Sequence, residues 1–258
     1  MKRALVFLCL LATAALIAAP AFADNASADV PWTTSISGYV QQGIEAFTYG
    51  NTRLVGGAVA TPWQGTLNSL KFEVFSNELQ LYKPGAAPQT SYLDITAYAP
   101  ANGKLVVGAM IASGPITGGD FWEMQAYDTA GVFMAGFRGS YNSVRGQVGT
   151  ATAGTYAYTT TNGVIAGYAP TYLIYDTATK NVDFWSNGSH FGSATNASSS
   201  GASLGTIKLN IMAAGNNQSI WMDNLTWGTV VPVPEPSSLL ALGMFGVGAL
   251  GFIKRRRA

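Results

Sequence analysis

The chain has 258 residues, of which 48% are hydrophobic, 10% are charged and 30 are glycine, and this length suits one large β domain. The single cysteine, Cys9, lies in the N-terminal apolar segment, which excludes disulfides, thiolate zinc sites and cysteine nucleophiles from the rest of the chain. Basic residues concentrate at the two ends and leave eight basic and twelve acidic residues between them, with Glu235 set aside. That balance excludes nucleic acid as a partner.

The N-terminus has the three parts of a secretory signal peptide. Two basic residues open the chain, residues 4–19 are apolar, and Ala21-Phe22-Ala23 places small residues where signal peptidase reads. The apolar stretch is shorter than the ~20 residues that a membrane-spanning helix needs, so an uncleaved anchor is the less favoured alternative. We predict that residues 1–23 are removed by signal peptidase, and that the mature chain begins at Asp24 or, at a second candidate site, Asp29.

Residues 24–231 read as one antiparallel β domain. Short alternating stretches are separated by Gly, Asn, Ser and Pro, and helical periodicity is scarce. The Thr-rich stretch 150–161 has irregular spacing and reads as a polar strand and loop. A two-sheet sandwich buries one face of each sheet. We predict an all-β, two-sheet antiparallel sandwich with strands at residues 70–75, 92–98, 104–111, 121–127, 132–138, 172–175, 182–186, 206–212 and 220–227.

A three-stranded meander is the clearest local prediction. Strand 171–175 is followed by a polar turn at 176–181 and by strand 182–186. The Asn187-Gly188 pair suits the positive backbone angles of a type I′ turn, and residues 189–192 continue on its far side.

The meander, which ends in Phe-Trp-Ser-Asn-Gly, resembles the strand and hairpin common in concanavalin A-like and laminin-G-like jelly rolls. Residues 219–227, in which Asp223-Asn224 lies between apolar residues, are similar to the closing strand of that class. The resemblance covers residues 172–228 and implies a jelly-roll sandwich.

The sequence carries few groups suited to catalysis. A Ser-His-Asp triad would have to use His190, the one histidine, whose place after a turn indicates a solvent-facing strand residue. Laminarinase-like jelly rolls carry Glu-x-Asp-x-Glu on one strand, whereas here Glu123 and Asp128 are separated by Met124-Gln125-Ala126-Tyr127. We predict no enzymatic activity and no cofactor. We also predict no metal site, because the chain has no Asp-x-Asp calcium loop and only the separate carboxylates Asp120, Asp128, Asp176 and Asp223.

Tryptophans raise the possibility of sugar binding. A flat aromatic face stacks on a pyranose ring, while Asn and Asp bond its hydroxyl groups; the alternative for each tryptophan is a place in the core. The candidate ligand-binding residues are Trp122, Trp185, Trp221, Asp223 and Asn224. If the strand is regular, its period of two places four residues on the same face: Trp221, Asp223, Leu225 and Trp227.

The C-terminal segment, residues 232–258, has three parts. Pro234-Glu235-Pro236 forms a stiff extended linker, and residues 239–253 contain no charge. As a helix, at about 1.5 Å per residue, those residues would extend about 22 Å, a marginal match to a ~30 Å hydrocarbon core. Orientation would be set by the basic cluster, which stays on the cytoplasmic side and leaves the body outside: Lys254, Arg255, Arg256 and Arg257.

This order of Pro-Glu-Pro, apolar helix and Arg-rich end resembles the PEP-CTERM sorting signal of Gram-negative bacteria that make exopolysaccharide. The resemblance implies export through the inner membrane and transient anchoring there. It also implies recognition by an exosortase, a membrane-embedded transpeptidase that would cut near Pro234-Glu235-Pro236 and send the body to the cell surface or the medium. A plain single-span anchor is the alternative.

Together these features predict an exported surface or matrix protein that associates with extracellular polysaccharide through a lectin-like β-sandwich. Two alternatives remain. A polysaccharide-active enzyme would be favoured by carboxylates clustered in a groove. A structural or adhesive protein without a small ligand would be favoured by the burial of every tryptophan.

Overall fold

The computed structural model describes residues 32–47, 52–53, 63–65, 72–75, 78–83, 89–100, 103–112, 119–140, 142–212 and 218–230. The predicted signal peptide and sorting segment lie outside these ranges. Within them the chain forms a short 3₁₀ helix, Trp32–Ser35, and seventeen strands. The strands are β1 (Tyr39–Glu45), β2 (Thr52–Arg53), β3 (Trp63–Gly65), β4 (Phe72–Phe75), β5 (Glu78–Lys83), β6 (Gln89–Tyr98), β7 (Lys104–Ala112), β8 (Trp122–Asp128), β9 (Phe133–Gly139), β10 (Ser143–Gly149), β11 (Tyr156–Tyr158), β12 (Gly163–Val164), β13 (Tyr168–Asp176), β14 (Asn181–Ser186), β15 (Ser189–Thr195), β16 (Leu204–Ile211) and β17 (Gln218–Val230).

The described strands form two antiparallel sheets. Sheet A has the order β15-β14-β13-β7-β17-β5-β4-β2, with β1 also paired to β17. Sheet B has the order β11-β10-β9-β8-β16-β6-β3, with β12 also paired to β10. The predicted all-β architecture of two antiparallel sheets is therefore confirmed.

One hydrophobic core lies between the sheets. It includes Leu105 and Val107 of sheet A together with Trp122 and Met124 of sheet B. The fully buried Trp122 donates from Nε1 to the Ser140 carbonyl at 2.8 Å. Burying a ring of this kind removes about 150–250 Å² from water, and at roughly 25 cal/mol per Å² that contributes about 4–6 kcal/mol. Trp122 is thus a core residue and cannot present a ring face to a ligand.

A second cluster packs on the outer face of sheet A. Trp32 of the 3₁₀ helix stacks on Tyr172 of β13 with ring centroids 5.2 Å apart, and Tyr172 stacks on Trp185 of β14 at 5.9 Å. His190 of β15 lies beside Trp185 at 5.1 Å. These four rings form an aromatic ladder across the strands, in which Tyr172 stacks on Trp185 and the His190 ring is tilted against it.

Strand β17 contains a bulge that changes which residues share a face. Its register against β7 shifts between Asp223 and Thr226, and Asn224 has a positive φ of 48°. One extra residue moves every later side chain to the other face of the sheet. Leu225 is therefore buried in the core, whereas Trp221 lies half-buried on the outer face. The prediction that Trp221, Asp223, Leu225 and Trp227 share one face is wrong for this reason.

The predicted meander is present as β13, β14 and β15, paired in sequence. Asn187 and Gly188 both have positive φ, 51° and 73°, as a type I′ turn requires. Among the described residues, none of the helical segments has the length and apolar character that crossing a bilayer would demand.

The close packing of the two sheets makes some glycines irreplaceable. A Cβ atom added to Gly146 of β10 would lie 2.4 Å from the ring of Phe184, which is fully buried. We expect Gly146→Ala to lower the free energy of unfolding by about 1–3 kcal/mol, the usual range for overpacking a core. Urea unfolding of the full-length protein measures this change. Gly119→Ala is the matched control, because nothing lies within 4 Å of its added Cβ; equal stability of the two variants would contradict the prediction.

Candidate functional site

The outer face of sheet B carries a continuous set of polar and aromatic side chains. On β8, Trp122, Met124 and Ala126 point into the core. Because side chains alternate along a strand, Glu123, Gln125 and Tyr127 point to the opposite face. The strand pairings extend this face from β3 to β11. We call it the polar face.

Two rows of side chains cross the polar face at right angles to the strands. The first row runs through five strands and consists of Thr90, Asn210, Glu123, Arg138 and Arg145. The second runs through seven strands and consists of Gln64, Tyr92, Lys208, Gln125, Gly136, Gln147 and Tyr158. At about 4.8 Å between neighbouring strands, the second row extends roughly 29 Å.

A side-chain amide bridge lies at the centre of the second row. Gln125 of β8 donates from Nε2 to Oε1 of Gln147 of β10 at 3.1 Å, although β9 separates the two strands. The register places Gly136 of β9 between them. A Cβ on Gly136 would lie 3.2 Å from Cγ of Gln125 and 2.5 Å from the Met124 carbonyl oxygen. The missing side chain at Gly136 is what allows the bridge to form.

The bridge continues into the first row. Asn210 donates from Nδ2 to Gln125 Oε1 at 2.8 Å and to Glu123 Oε2 at 3.1 Å, while Tyr127 donates its hydroxyl to Gln125 Oε1 at 2.8 Å. Gln125 and Gln147 are 2% and 0% exposed despite lying on the outer face. A buried and satisfied polar network holds its members in fixed orientations.

Two arginines neutralise the carboxylates at one end of the first row. Arg138 lies 3.3 Å from Asp120 and 3.8 Å from Glu123, and Arg145 donates to Asp120 from Nε at 3.1 Å. Burial lowers the pKa of the Arg138 guanidinium. This effect is outweighed by its hydrogen bond to the Tyr158 hydroxyl and by the charges of Tyr158, Glu123 and Asp120, so its pKa is raised overall. The guanidinium stays charged, and both carboxylates are held as ion pairs.

Tyrosine rings flank the network and hold cations. The Arg145 guanidinium lies 4.6 Å from the ring centre of Tyr158, and the Lys208 ammonium lies 4.0 Å from that of Tyr127. Such cation–π contacts contribute about 0.5–1 kcal/mol at exposed sites and more where water is excluded. They restrain the long cationic side chains beside the rings.

Two carboxylates of the described polar face, Glu123 and Asp94, are each engaged by neighbouring side chains: Asn210 donates to Glu123, and Gln64 and Thr206 donate to Asp94. The three successive outward positions of β8 hold Glu123, Gln125 and Tyr127, which supply one carboxylate and two neutral groups. A glycosidase needs one carboxyl group as acid and a second as base or nucleophile. Asp120 is the nearby second carboxylate, but it is paired with both arginines.

His190 joins Ser193 and Asp183 on the outer face of sheet A, but these groups are not connected as a catalytic triad. Ser193 donates to Asp183 at 2.6 Å, and the same nitrogen of His190, Nε2, lies 3.1 Å from the serine oxygen and 3.6 Å from the carboxylate. In a triad the two ring nitrogens serve the two partners separately, so that the base can take the serine proton. The His190 and Asp183 side chains are also 41% and 53% exposed.

The structure distributes the predicted ligand-binding residues among four places. Trp122 is in the core, Trp185 is in the aromatic ladder, and Trp221 is on the outer face of sheet A. Asp223 and Asn224 form the β17 bulge, where Asn224 donates to Asp223 and the Asn224 carbonyl accepts from Nε1 of Trp32 at 2.9 Å. None of these five residues belongs to the polar face. The signal for that face was the alternation of Glu123, Gln125 and Tyr127 with apolar residues on β8.

The separate aspartates serve structural roles. Asp128 accepts from the backbone N–H groups of Ala130, Val132 and Gly201 at 2.5–2.9 Å. Backbone N–H groups of Thr179 and Ala178 lower the pKa of Asp176. In the part of the chain that the structure describes, no three His, Cys, Asp or Glu side chains gather where they could hold a metal ion.

A cavity of about 290 Å³ lies where β8 and β10 end. Its lining includes the rings of Tyr127, Phe133 and Tyr156 and the loop of residues 150–155 between β10 and β11. Tyr127 belongs both to this cavity and to the polar face, so the two are contiguous.

Comparison with known proteins identifies the C-terminal segment and the fold. The PEP-CTERM protein-sorting motif matches residues 232–257, which implies an exported protein that an exosortase processes and that reaches the cell surface or the exterior. A search of curated proteins finds no match.

Solved structures similar to this chain include carbohydrate-active jelly rolls. An endo-1,3-β-glucanase from Streptomyces sioyaensis is 12% identical with a TM-score of 0.54, over 76% of this chain and 98% of that one. An endo-β-1,3-glucanase from Pyrococcus furiosus is 9% identical with a TM-score of 0.54, over 76% and 96%. A sialidase is 11% identical with a TM-score of 0.52, over 65% of this chain but only 17% of its own length. At such low identity these likenesses show the fold alone, and they confirm the predicted jelly-roll sandwich.

Burial makes Tyr127 a probe of the polar face. Removal from water, followed by the neighbouring Tyr156 and Glu123, raises the pKa of the Tyr127 phenol above its usual 10.0. Its contribution to stability is therefore fully present below the unfolded pKa of about 10 and is lost as the pH rises through the folded pKa. We expect the stability of the wild-type protein to fall more steeply above pH 10 than that of Tyr127→Phe, measured by urea unfolding across pH. Parallel curves would contradict this assignment.

Proposed function

We propose that this chain is a non-catalytic, exosortase-sorted protein that binds extracellular polysaccharide on the polar face of sheet B. The observation that carries the proposal is the second row, which crosses seven strands with three amides, two tyrosines, one lysine and one glycine and has its centre fixed by the Gln125–Gln147 bridge. The accessible members of this row, Gln64, Tyr92, Lys208 and Tyr158, would contact the ligand. Amides and charged groups bond sugar hydroxyls, and aromatic rings pack on the apolar faces of sugar rings.

Preorganisation supports binding at this face. The network already fixes the side chains of Gln125, Gln147 and Asn210. Binding of a ligand would therefore not incur the entropy loss of ordering them. The side chains of Arg138 and Arg145 at its end are 31% and 35% exposed and remain reachable from solvent. A rigid centre with an accessible margin is the arrangement expected of a binding surface.

The absence of catalysis is also part of the proposal. Its support is the pairing of Glu123 and Asp120 with Arg138, which engages both carboxylates with a cation, whereas a glycosidase needs two carboxyl groups available to the substrate. The observation that favours the alternative, an enzyme, is the position of Glu123 among polar groups on a jelly-roll face. An assay for new reducing ends distinguishes the two: release that is lost in Glu123→Gln would overturn the non-catalytic assignment.

A structural or adhesive protein without a small ligand is the second alternative. Its support is the burial of Trp32, Trp63 and Trp122. A protein of this kind would bind no glycan at all. Glycan binding by the polar face therefore separates it from the leading proposal.

Removing a ring from the second row tests the binding face. We expect Tyr158→Ala to weaken the binding of the full-length protein to a responsive polysaccharide about tenfold or more, or ~1.4 kcal/mol, because it removes a stacking surface and the partner of Arg138. Affinity electrophoresis against a panel of bacterial and plant polysaccharides measures the change. His190→Ala is the control, since it removes an exposed ring from the opposite sheet. Equal losses in both variants, or no binding by the wild-type protein, would contradict the proposal.

Sorting is tested separately from binding. We expect the protein recovered from the surface or medium of the producing cells to begin at Asp24 or Asp29 and to end near Pro234-Glu235-Pro236. Intact-mass spectrometry of membrane, surface and medium fractions gives both ends. A chain that keeps its C-terminus through Ala258 in every fraction would show a permanent anchor instead.

A further inference from the structure

The cavity at the end of β8 and β10 differs in chemistry from the polar face that it adjoins. Every side chain that lines it is uncharged, and three of them are the rings of Tyr127, Phe133 and Tyr156. The Phe133 ring meets Tyr156 edge-on at 4.9 Å and Tyr127 at 5.5 Å. Its volume of about 290 Å³ lies just below the range of about 300–1,000 Å³ that drug-sized ligands occupy. The cavity therefore suits one small uncharged group.

The loops around the cavity are fixed by hydrogen bonds. In the loop of residues 150–155, Thr155 donates from its backbone N–H and from its hydroxyl to the Thr152 carbonyl, at 3.2 and 2.8 Å, and Thr150 donates to the Thr155 carbonyl at 3.1 Å. On the other side, the Ser198 hydroxyl donates to the Phe133 carbonyl at 2.8 Å. The cavity is consequently preformed, which lowers the entropic cost of filling it.

The lining combines two kinds of contact. The rings and the alanines 151 and 153 supply apolar surface, while threonine and serine side chains supply hydroxyl groups. A short ester has the matching parts, because its methyl group is apolar and its carbonyl oxygen accepts hydrogen bonds. Tyr127 connects the cavity to the bridge, since its ring lines the cavity and its hydroxyl donates to Gln125.

We propose that this cavity is a subsite for an O-acetyl group carried by a polysaccharide bound on the polar face. The proposal rests on the proposed function of that face and specifies its ligand, an acetylated polysaccharide. The apolar methyl would pack against the three rings. The ester carbonyl would accept from the hydroxyl of Thr152 or Ser199, because the Thr155 and Ser198 hydroxyls already donate to backbone carbonyls.

Acetylated glucomannan and the same polymer after alkaline deacetylation are the probes. We expect the full-length protein to bind the acetylated form about tenfold more tightly, which corresponds to ~1.4 kcal/mol. Ala153→Trp, which fills the cavity from the exposed loop, should bind both forms with the affinity that the wild-type protein has for the deacetylated one. Ala157→Trp is the matched control, because Ala157 is also exposed but lies outside the cavity lining.

Equal affinity of the wild-type protein for the two forms would overturn the acetyl subsite while leaving the polar face supported. If the wild-type protein binds neither form, the proposed function fails for this polymer, and a small probe decides the subsite independently. Saturation-transfer NMR with methyl 6-O-acetyl-glucoside should then show transfer to the acetyl methyl for wild type and Ala157→Trp but not for Ala153→Trp. No transfer in the wild-type protein would overturn the subsite.

Discussion

The pairing of β17 on both sides is the interaction on which the rest of the sandwich depends. β17 contacts β7 along one edge, while β5 and β1 share its other edge, so a single strand joins the two halves of sheet A. The bulge at Asp223 and Asn224 allows this sharing, because the strand pairs with β5 before the bulge and with β1 after it. Trp32 fixes the bulge from outside by donating to the Asn224 carbonyl. The last strand of the domain thus depends on a contact from its N-terminal segment.

The outer face of sheet B can be polar because the inner face supplies the apolar surface that the core buries. Trp122, Met124 and Ala126 bury one side of β8, and this leaves the other side free to carry Glu123 and Gln125. Those polar groups are themselves nearly buried, so each must find a partner. The shared bonds through Asn210 and Gln147 meet that requirement. Stability and the proposed binding surface therefore have a common origin in strand alternation.

Much of the fold could be predicted from sequence because alternation and turn residues are local signals. All nine predicted strands are present, and the Asn187-Gly188 turn has the expected backbone angles. Two-residue or three-residue strands such as β11 and β12 give too short a pattern to detect. The bulge in β17 was also invisible, because the positive φ of Asn224 depends on tertiary pairing. It reversed the expected face of Leu225.

The candidate site was harder to predict because the local sequence does not show which residues of different strands become neighbours. Trp122 was predicted to bind a ligand because it is a tryptophan, but it lies in the core. The Gln125–Gln147 bridge joins residues that are 22 positions apart in the sequence. Gly136 gave no signal of its own, since its role depends on having Gln125 and Gln147 as neighbours in the register. The sorting segment, by contrast, could be predicted because its parts are contiguous in the sequence. The motif match at residues 232–257 confirms this prediction.

The end of β17 limits how far the anchored protein can reach. The strand is paired through Val230, and the uncharged segment begins at residue 239, so eight residues separate them. At about 3.3–3.6 Å per residue, that connection extends no more than roughly 26–29 Å. With the segment in the bilayer, as predicted, the C-terminal end of β17 would stay within that distance of the membrane, and the sandwich would meet only polymer close to it. Cleavage by the exosortase would remove this connection to the membrane. The released protein could then reach polysaccharide farther from the membrane.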